Sequence, residues 1–203
     1  MDSQSRSSSG GFTLWFTGLP CAGKSTLASE IGVELRKRGH SLEILDGDVV
    51  RTTLCKGLGF SKEDRDENIS RLGWACNLLN RHGIVAVTAV VSPYREARNR
   101  VRKGIPRFIE IYVKAPLSVC MDRDVKGLYA KAMAGELSHF TGVNDPYEEP
   151  MAPDIIVETH NNSVAQCVSS IIDHLEAIGI IQHETTAKAQ RVSDESCDSP
   201  FPG

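Results

Sequence analysis

Phe12-Thr13-Leu14-Trp15-Phe16-Thr17, followed at once by Gly18-Leu19-Pro20-Cys21-Ala22-Gly23-Lys24-Ser25, decides the architecture. The first run is apolar and β-prone. The second fits G-x-x-x-x-G-K-[ST], and Leu27, Ile31 and Leu35 then recur at helical spacing over residues 25–38. Strand, glycine-rich turn and helix, in that order, form the context in which this motif has a mechanism. The glycines let backbone N–H groups turn inward around a phosphate, and the helix N-terminus adds positive potential. In such a loop Lys24 meets the β- and γ-phosphates of ATP, and the Ser25 hydroxyl is a Mg2+ ligand. Gly18, Leu19, Pro20, Cys21, Ala22, Gly23 and Thr26 complete the nucleotide cradle. A thiolate is favoured at a helix N-terminus, which sets Cys21 apart from the other cysteines as the candidate for oxidation sensitivity.

Outward from that loop, strand and helix alternate. Gly39 stops the first helix, and Leu42 to Leu45 reads as a strand that ends in Asp46-Gly47-Asp48. Acids at the carboxyl end of a parallel strand lie on the edge where ligands bind. Ser61 to Asn80 reads as a helix, with Ser61 as cap, Asp64 as the capping-box acid and Ile69, Leu72, Cys76 and Leu79 on its apolar face. The unbroken run Ile84 to Val91 is the signature of a strand buried on both faces. Phe108 to Val113 and Asp154 to Val157 add two more strands, and Val164 to Ile178 a closing helix capped by Asn162. The fold class is α/β: one three-layer domain with a parallel sheet, over residues 11–181. Residues 127–153 crowd aromatic, Gly, Pro and charged residues without an apolar stripe, which reads as a lid with bend points at Gly135, Gly142 and Pro146. Residues 1–10 and 184–203 are too polar to pack and are expected to be disordered.

A chain of 203 residues suits one such domain, and 40% apolar residues suffice for its core. A formal net charge of −3 gives no global reason for nucleic-acid binding. No apolar run approaches the ~20 residues of a membrane span, and the Ser-rich start lacks the apolar centre of a signal peptide. The composition therefore reads as a cytoplasmic enzyme. The cysteines at 21, 55, 76, 120, 167 and 197 include no C-x-x-C pair, which argues against a zinc site or a disulfide framework and for buried thiols.

A phosphate loop alone does not choose among GTPases, ATPases and small-molecule kinases. No N-K-x-D guanine signature is present, and the D-x-x-G match at Asp124 to Gly127 follows a helical stretch rather than a buried strand. Other segments narrow the choice: Asp46-Gly47-Asp48-Val49-Val50-Arg51, Leu58 to Asn68, Val91-Ser92-Pro93-Tyr94-Arg95, Lys126-Gly127-Leu128-Tyr129 and Phe140-Thr141-Gly142. Together with the phosphate loop, and in the same order, they closely resemble the adenylyl-sulfate kinase family of P-loop kinases, from about Gly11 to Ile180.

That resemblance implies transfer of the ATP γ-phosphoryl group to the 3′-hydroxyl of adenylyl sulfate, Mg2+ as cofactor and a homodimeric assembly. It places the acceptor across Asp48, Arg51, Phe60, Arg65, Asn68, Val91, Ser92, Lys126, His139 and Phe140, and Arg123 beside the adenine of ATP. The chemistry is consistent with this: arginine forks suit a phosphosulfate anhydride, and Phe60 with Phe140 suits a sandwiched adenine. Read without the resemblance, Arg65 is as easily a solvated arginine on a polar helix, and both phenylalanines are as easily core. Asp48 is expected to orient the hydroxyl and accept its proton, and Asp46 to hold a Mg2+-bound water. The resemblance also brings a phosphoserine intermediate at Ser92. No His or Lys is paired with Ser92 in sequence, so direct in-line transfer is the expectation. Departures from the family pattern are Pro20-Cys21 where Ser-Gly is usual, Val91 where Ile is common and His139 where Gly is frequent. The rival readings are another small-molecule or nucleoside monophosphate kinase, and a non-catalytic nucleotide-binding module.

Overall fold

The β-prone run of the sequence forms strand β1 (Thr13–Thr17), and every residue of it is buried. A computed structural model describes residues 10–183; the expectations for the two polar ends fall on 1–9 and 184–203, outside the described residues. From β1 the chain enters α1 (Lys24–Lys37), then β2 (Leu42–Asp46), the short α2 (Gly47–Thr52), α3 (Lys62–Arg81) and β3 (Val85–Ala89). The second half supplies α4 (Arg95–Gly104), β4 (Phe108–Lys114), α5 (Leu117–Asp122), α6 (Leu128–Met133), β5 (Ile155–Glu158) and α7 (Val164–Ala177).

All strands pair in parallel, in the order β2-β3-β1-β4-β5. The α/β three-layer architecture follows from how β1 alternates. Leu14 and Phe16 point to the layer of α1 and α7, where they meet Leu27, Ile31, Leu35, Ile171 and Leu175. Trp15 points to the opposite layer, with Ile69, Leu72 and Cys76 of α3 and Val101 of α4. Each such fully buried aliphatic side chain contributes about 1.5–3 kcal/mol relative to exposure. Because β1 is central and its neighbours continue in opposite directions across the sheet, a crevice opens at the carboxyl ends of β1 and β3, the place where such folds hold ligands.

Some local expectations are corrected. The cap of α7 is Ser163, not Asn162: Ser163 Oγ accepts from Gln166 N while Gln166 Oε1 accepts from Ser163 N, and Asn162 instead donates to the Glu158 carbonyl. Ser is the shorter hydroxyl cap, and the Gln three residues later completes the reciprocal pair. Ser61 caps α3 as expected, but the Asp64 carboxylate takes the Ser61 hydroxyl at 3.1 Å rather than closing the box onto the backbone. Residues 127–153 are not devoid of core: α6 seats Tyr129, 1% exposed, in the same cluster as Phe16 and Leu27. The Asp124 carboxylate accepts from the amides of Leu128, Tyr129 and Ala130, so it caps this helix. No helix among the described residues is long and apolar enough to cross a membrane.

Candidate functional site

The phosphate loop hangs between β1 and α1 on backbone geometry that its residue types dictate. Gly18 has φ 152°, and a Cβ there would stand 2.4 Å from the Val113 carbonyl oxygen, so no side chain fits. Gly23 caps α1 in the left-handed region, at φ 101°. Cys21 is left-handed too, at φ 60°. That explains why Gly is usual at this position in the family pattern, and it costs a non-glycine residue about 1–2 kcal/mol. The expected thiolate does not follow: partial burial, and next the Asp124 carboxylate, push the Cys21 thiol above its ordinary pKa, outweighing Lys24 and Lys126. Cys55, Cys76, Cys120 and Cys167 are buried.

Lys24 is 8% exposed, and its Nζ donates to the carbonyls of Gly18 (3.0 Å) and Leu19 (2.7 Å). Burial lowers its pKa from 10.5 to about 8, against smaller opposing contributions from Cys120, Cys21, Asp46 and Asp48. A cation so placed, with carbonyl dipoles as its direct partners, is poised for anionic phosphate. Leu19 is half-buried, Ala22 is buried, and the Pro20 carbonyl accepts from Tyr129 Oη at 3.0 Å, which ties loop to α6. Ser25 and Thr26 are exposed in the first turn of α1.

The two aspartates separate clearly. Asp46 ends β2 and caps α2, its Oδ1 accepting from Asp48 N at 2.9 Å, while its Oδ2 accepts from Ser25 Oγ at 2.6 Å. Asp48 projects from the first turn of α2, exposed, and pairs with Lys126 Nζ from the segment before α6. The pairing raises the Lys126 pKa. A hydroxyl beside a carboxylate is an oxygen donor set of the kind Mg2+ takes together with substrate phosphates and water. Among the described residues no group of three or more His, Cys, Asp or Glu forms a protein-only metal cage.

The expected acceptor residues Arg51, Phe60, Arg65 and His139 come together. The Arg51 guanidinium lies 4.2 Å from the Phe60 ring centroid, and Arg65 lies 5.5 Å from it. Arg51 Nη1 donates to the Gly59 carbonyl at 2.9 Å, Arg65 Nε to the Phe60 carbonyl at 3.0 Å, and Arg65 Nη2 to the His139 carbonyl. Arg65 is 7% exposed, so it is not a solvated arginine; a solvated arginine of this helix is Arg71, paired with Glu67 at 2.7 Å. Burial lowers the pKa of both Arg51 and Arg65, and for Arg65 the neighbouring Asp145 partly offsets it. Asn68 is 7% exposed, with its Oδ1 buried and unpartnered, and Thr141 Oγ1 shares that condition. Buried polar atoms of this kind call for a donor or acceptor from elsewhere.

Phe60 is half-exposed, whereas the Phe140 ring packs edge-on against Tyr129, with centroids 4.9 Å apart. His139 is exposed at φ 61°, again left-handed where the family pattern favours Gly. Val91 is half-buried and its carbonyl accepts from Thr17 Oγ1 at 2.8 Å. Ser92 is 2% exposed at φ 42°. Its Oγ accepts from Trp15 Nε1 at 3.1 Å and donates to Thr17 Oγ1 at 2.9 Å. Both hydrogen-bonding directions of the hydroxyl are thereby used. Arg123, after α5, donates to Thr159 Oγ1 and to the Thr159 carbonyl, and Thr159 Oγ1 donates to the Ala22 carbonyl at 2.8 Å.

Sequence reasoning missed Thr159, Thr17, Trp15, Asp145 and Arg98. The first four carry no motif signal, because a lone threonine, tryptophan or aspartate becomes part of a site only through distant contacts. Arg98 sits three residues beyond the segment that ends at Arg95, on a helix with one buried stripe of Ala97, Arg98 and Val101.

The adenylylsulphate kinase family model matches residues 10–158. An adenylyl-sulfate kinase of Gloeothece citriformis is 52% identical over 172 residues, covering 85% of this chain and 98% of that protein. One from Chloroflexus aurantiacus is 50% identical, over 84% of this chain and 92% of its own length. The solved Mycobacterium tuberculosis APS kinase CysC, in complex with AMPPNP and APS, superposes with a TM-score of 0.79 at 42% identity, covering 82% of this chain and 98% of that one.

Proposed function

Because this chain belongs to the adenylylsulphate kinase family, we propose that it phosphorylates the 3′-hydroxyl of adenylyl sulfate with ATP, giving 3′-phosphoadenylyl sulfate and ADP. The observation that carries the substrate assignment is the buried Arg65, beside Arg51 over Phe60: two forks and a flat ring suit an acceptor with an anhydride and an adenine. The relative from Mycobacterium tuberculosis holds APS and an ATP analogue in its structure.

Lys24 meets the transferring phosphoryl group, and catalysis is mainly positioning and charge stabilisation. Asp48 orients the acceptor hydroxyl and takes its proton. To do so it parts from Lys126, which is then free to meet the acceptor's anionic linkage. Ser25 and Asp46 would hold Mg2+, the aspartate through water. When bound, Mg2+ would supply the positive charge that offsets the donor phosphates. Asn68 and Thr141 offer their unpartnered oxygens to the acceptor, and Arg123 flanks the ATP adenine. Ser92 acts as a fixed wall rather than a nucleophile, since its hydroxyl is engaged on both sides and nothing basic is bonded to it. Residues 127–153 close over the acceptor as a lid, the working unit is a homodimer, and the enzyme acts in the cytoplasm.

A coupled ADP-release assay with adenylyl sulfate, AMP and shikimate as rival acceptors tests the reading. Turnover that depends on adenylyl sulfate supports it, and preference for AMP or shikimate overturns it. Light scattering on a sizing column tests the dimer.

A further inference from the structure

We propose that Arg98 is a positioning residue for the acceptor: it locks the Ser92 backbone to the strap Tyr147–Glu149 within residues 127–153, and so shapes the acceptor cleft. The proposal rests on the functional reading above. Arg98 is 2% exposed, and its guanidinium spends each nitrogen on a different segment. Nε donates to Glu110 Oε1 on β4 at 2.8 Å, Nη1 to the Ser92 carbonyl at 2.5 Å and Nη2 to the Glu148 carbonyl at 2.7 Å.

The surroundings reinforce the lock. Glu148 N donates to the Pro93 carbonyl at 2.9 Å, and Arg95 donates from N to Glu148 Oε2 at 2.8 Å and from Nε to the Glu149 carbonyl at 2.7 Å. Tyr147 Oη lies 3.0 Å from Thr17 Oγ1, the same hydroxyl that accepts from Ser92 Oγ. A serine at φ 42° persists only where its surroundings over-determine it. Trp15 and Thr17 hold its side chain, and Arg98 holds its carbonyl. Glu110, 5% exposed, is the counter-charge of the buried guanidinium, with Arg102 3.3 Å from its other oxygen.

Charge alone needs only the Arg98–Glu110 pair, but reaching the Ser92 and Glu148 carbonyls at the same time needs a planar fork, which lysine lacks. Arg98→Lys therefore separates the roles. Expected are a drop of about tenfold or more in kcat/KM for adenylyl sulfate, since small misplacements of reacting groups are that costly, and a Kd for AMPPNP within twofold of wild type. Glu110→Gln leaves both carbonyl contacts in place, so its KM for adenylyl sulfate should stay near wild type even where Tm falls. If Arg98→Lys does not fold, the neutral pair Arg98→Gln with Glu110→Gln removes the fork without stranding a buried charge, and the same split is expected of it. Wild-type acceptor kinetics in the fork-less variant, equal losses toward ATP and adenylyl sulfate, or an equal acceptor defect in Glu110→Gln would each overturn the role of Arg98 alone. A wild type without acceptor-dependent ADP release would instead overturn the functional reading, and this inference with it.

Discussion

Replacing Lys24 by methionine should stabilise the fold and abolish transfer together. The ammonium is 8% exposed, and burial lowers its pKa from 10.5 to about 8. At 1.36 kcal/mol per tenfold change in proton affinity, holding that charge costs the folded state about 3 kcal/mol. Methionine fills the same space without charge but gives up the bonds to the Gly18 and Leu19 carbonyls, an offset of about 1–2 kcal/mol. The net expectation is a gain of about 1–2 kcal/mol at pH 7. The folded pKa is depressed, so between about pH 8 and 10.5 the unfolded chain holds a proton that the folded one lacks. Wild-type stability from this group therefore rises across that window, and the penalty is fully present below it. Urea unfolding of both proteins at pH 7 and pH 9.5, without nucleotide, should show the advantage of the variant shrinking as pH rises. A variant less stable than wild type by the same amount at both pH values would refute the burial argument. Wild-type turnover in the variant would refute the phosphate-loop role.

Asp48→Asn should lower kcat by roughly 10²-fold at saturating Mg2+, the usual scale for losing a general base, with ATP affinity little changed. Asp46→Asn should instead raise the Mg2+ requirement while leaving stability nearly intact, since Asn also caps α2; single-turnover transfer across a Mg2+ titration separates the two, and rescue of Asp48→Asn by Mg2+ would reverse the assignments. Arg65→Ala should raise KM for adenylyl sulfate far more than for ATP and lower stability by about 1–3 kcal/mol, because the His139 and Phe60 carbonyls lose their donor; equal effects on both substrates would place Arg65 elsewhere. Ser92→Ala should keep turnover within about tenfold of wild type, while leaving Trp15 Nε1 without its acceptor costs about 1–3 kcal/mol in chemical denaturation; a phosphoserine trapped on the reaction path would refute direct transfer.

Much of the molecule was legible in order along the chain. The strand, loop and helix from Thr13 to Lys37 follow from local rules alone: an apolar β-prone run, glycines where φ is positive, and apolar residues every third or fourth position. The same holds for α3 and its Ser61 cap, for β3, and for the acids at the end of β2. What stayed hidden was short or distant. Helices of six residues, such as α2 and α6, show no periodicity to read and form only because their surroundings hold them. Ser163 and Asn162 are both good caps, and only the realised backbone chose between them.

Residue chemistry in this protein was therefore a property of the sequence, and residue environment a property of the tertiary structure. That Lys24, Ser25, Asp46 and Asp48 belong to one site is dictated by motif and by position at the carboxyl ends of parallel strands. That Asp46 takes Ser25 while Asp48 takes Lys126 depends on side chains meeting across 21 and 78 residues. A cysteine after a phosphate-loop proline suggests a thiolate, and burial with Asp124 nearby decides against it. Arg65 reads as one more charge on a polar helix until the chain from His139 folds over it, and Arg98 as surface until Glu110, Ser92 and Glu148 enclose it. The reason is general: local sequence sets the backbone conformations a segment prefers, whereas desolvation and charge pairing depend on which distant segments arrive beside it.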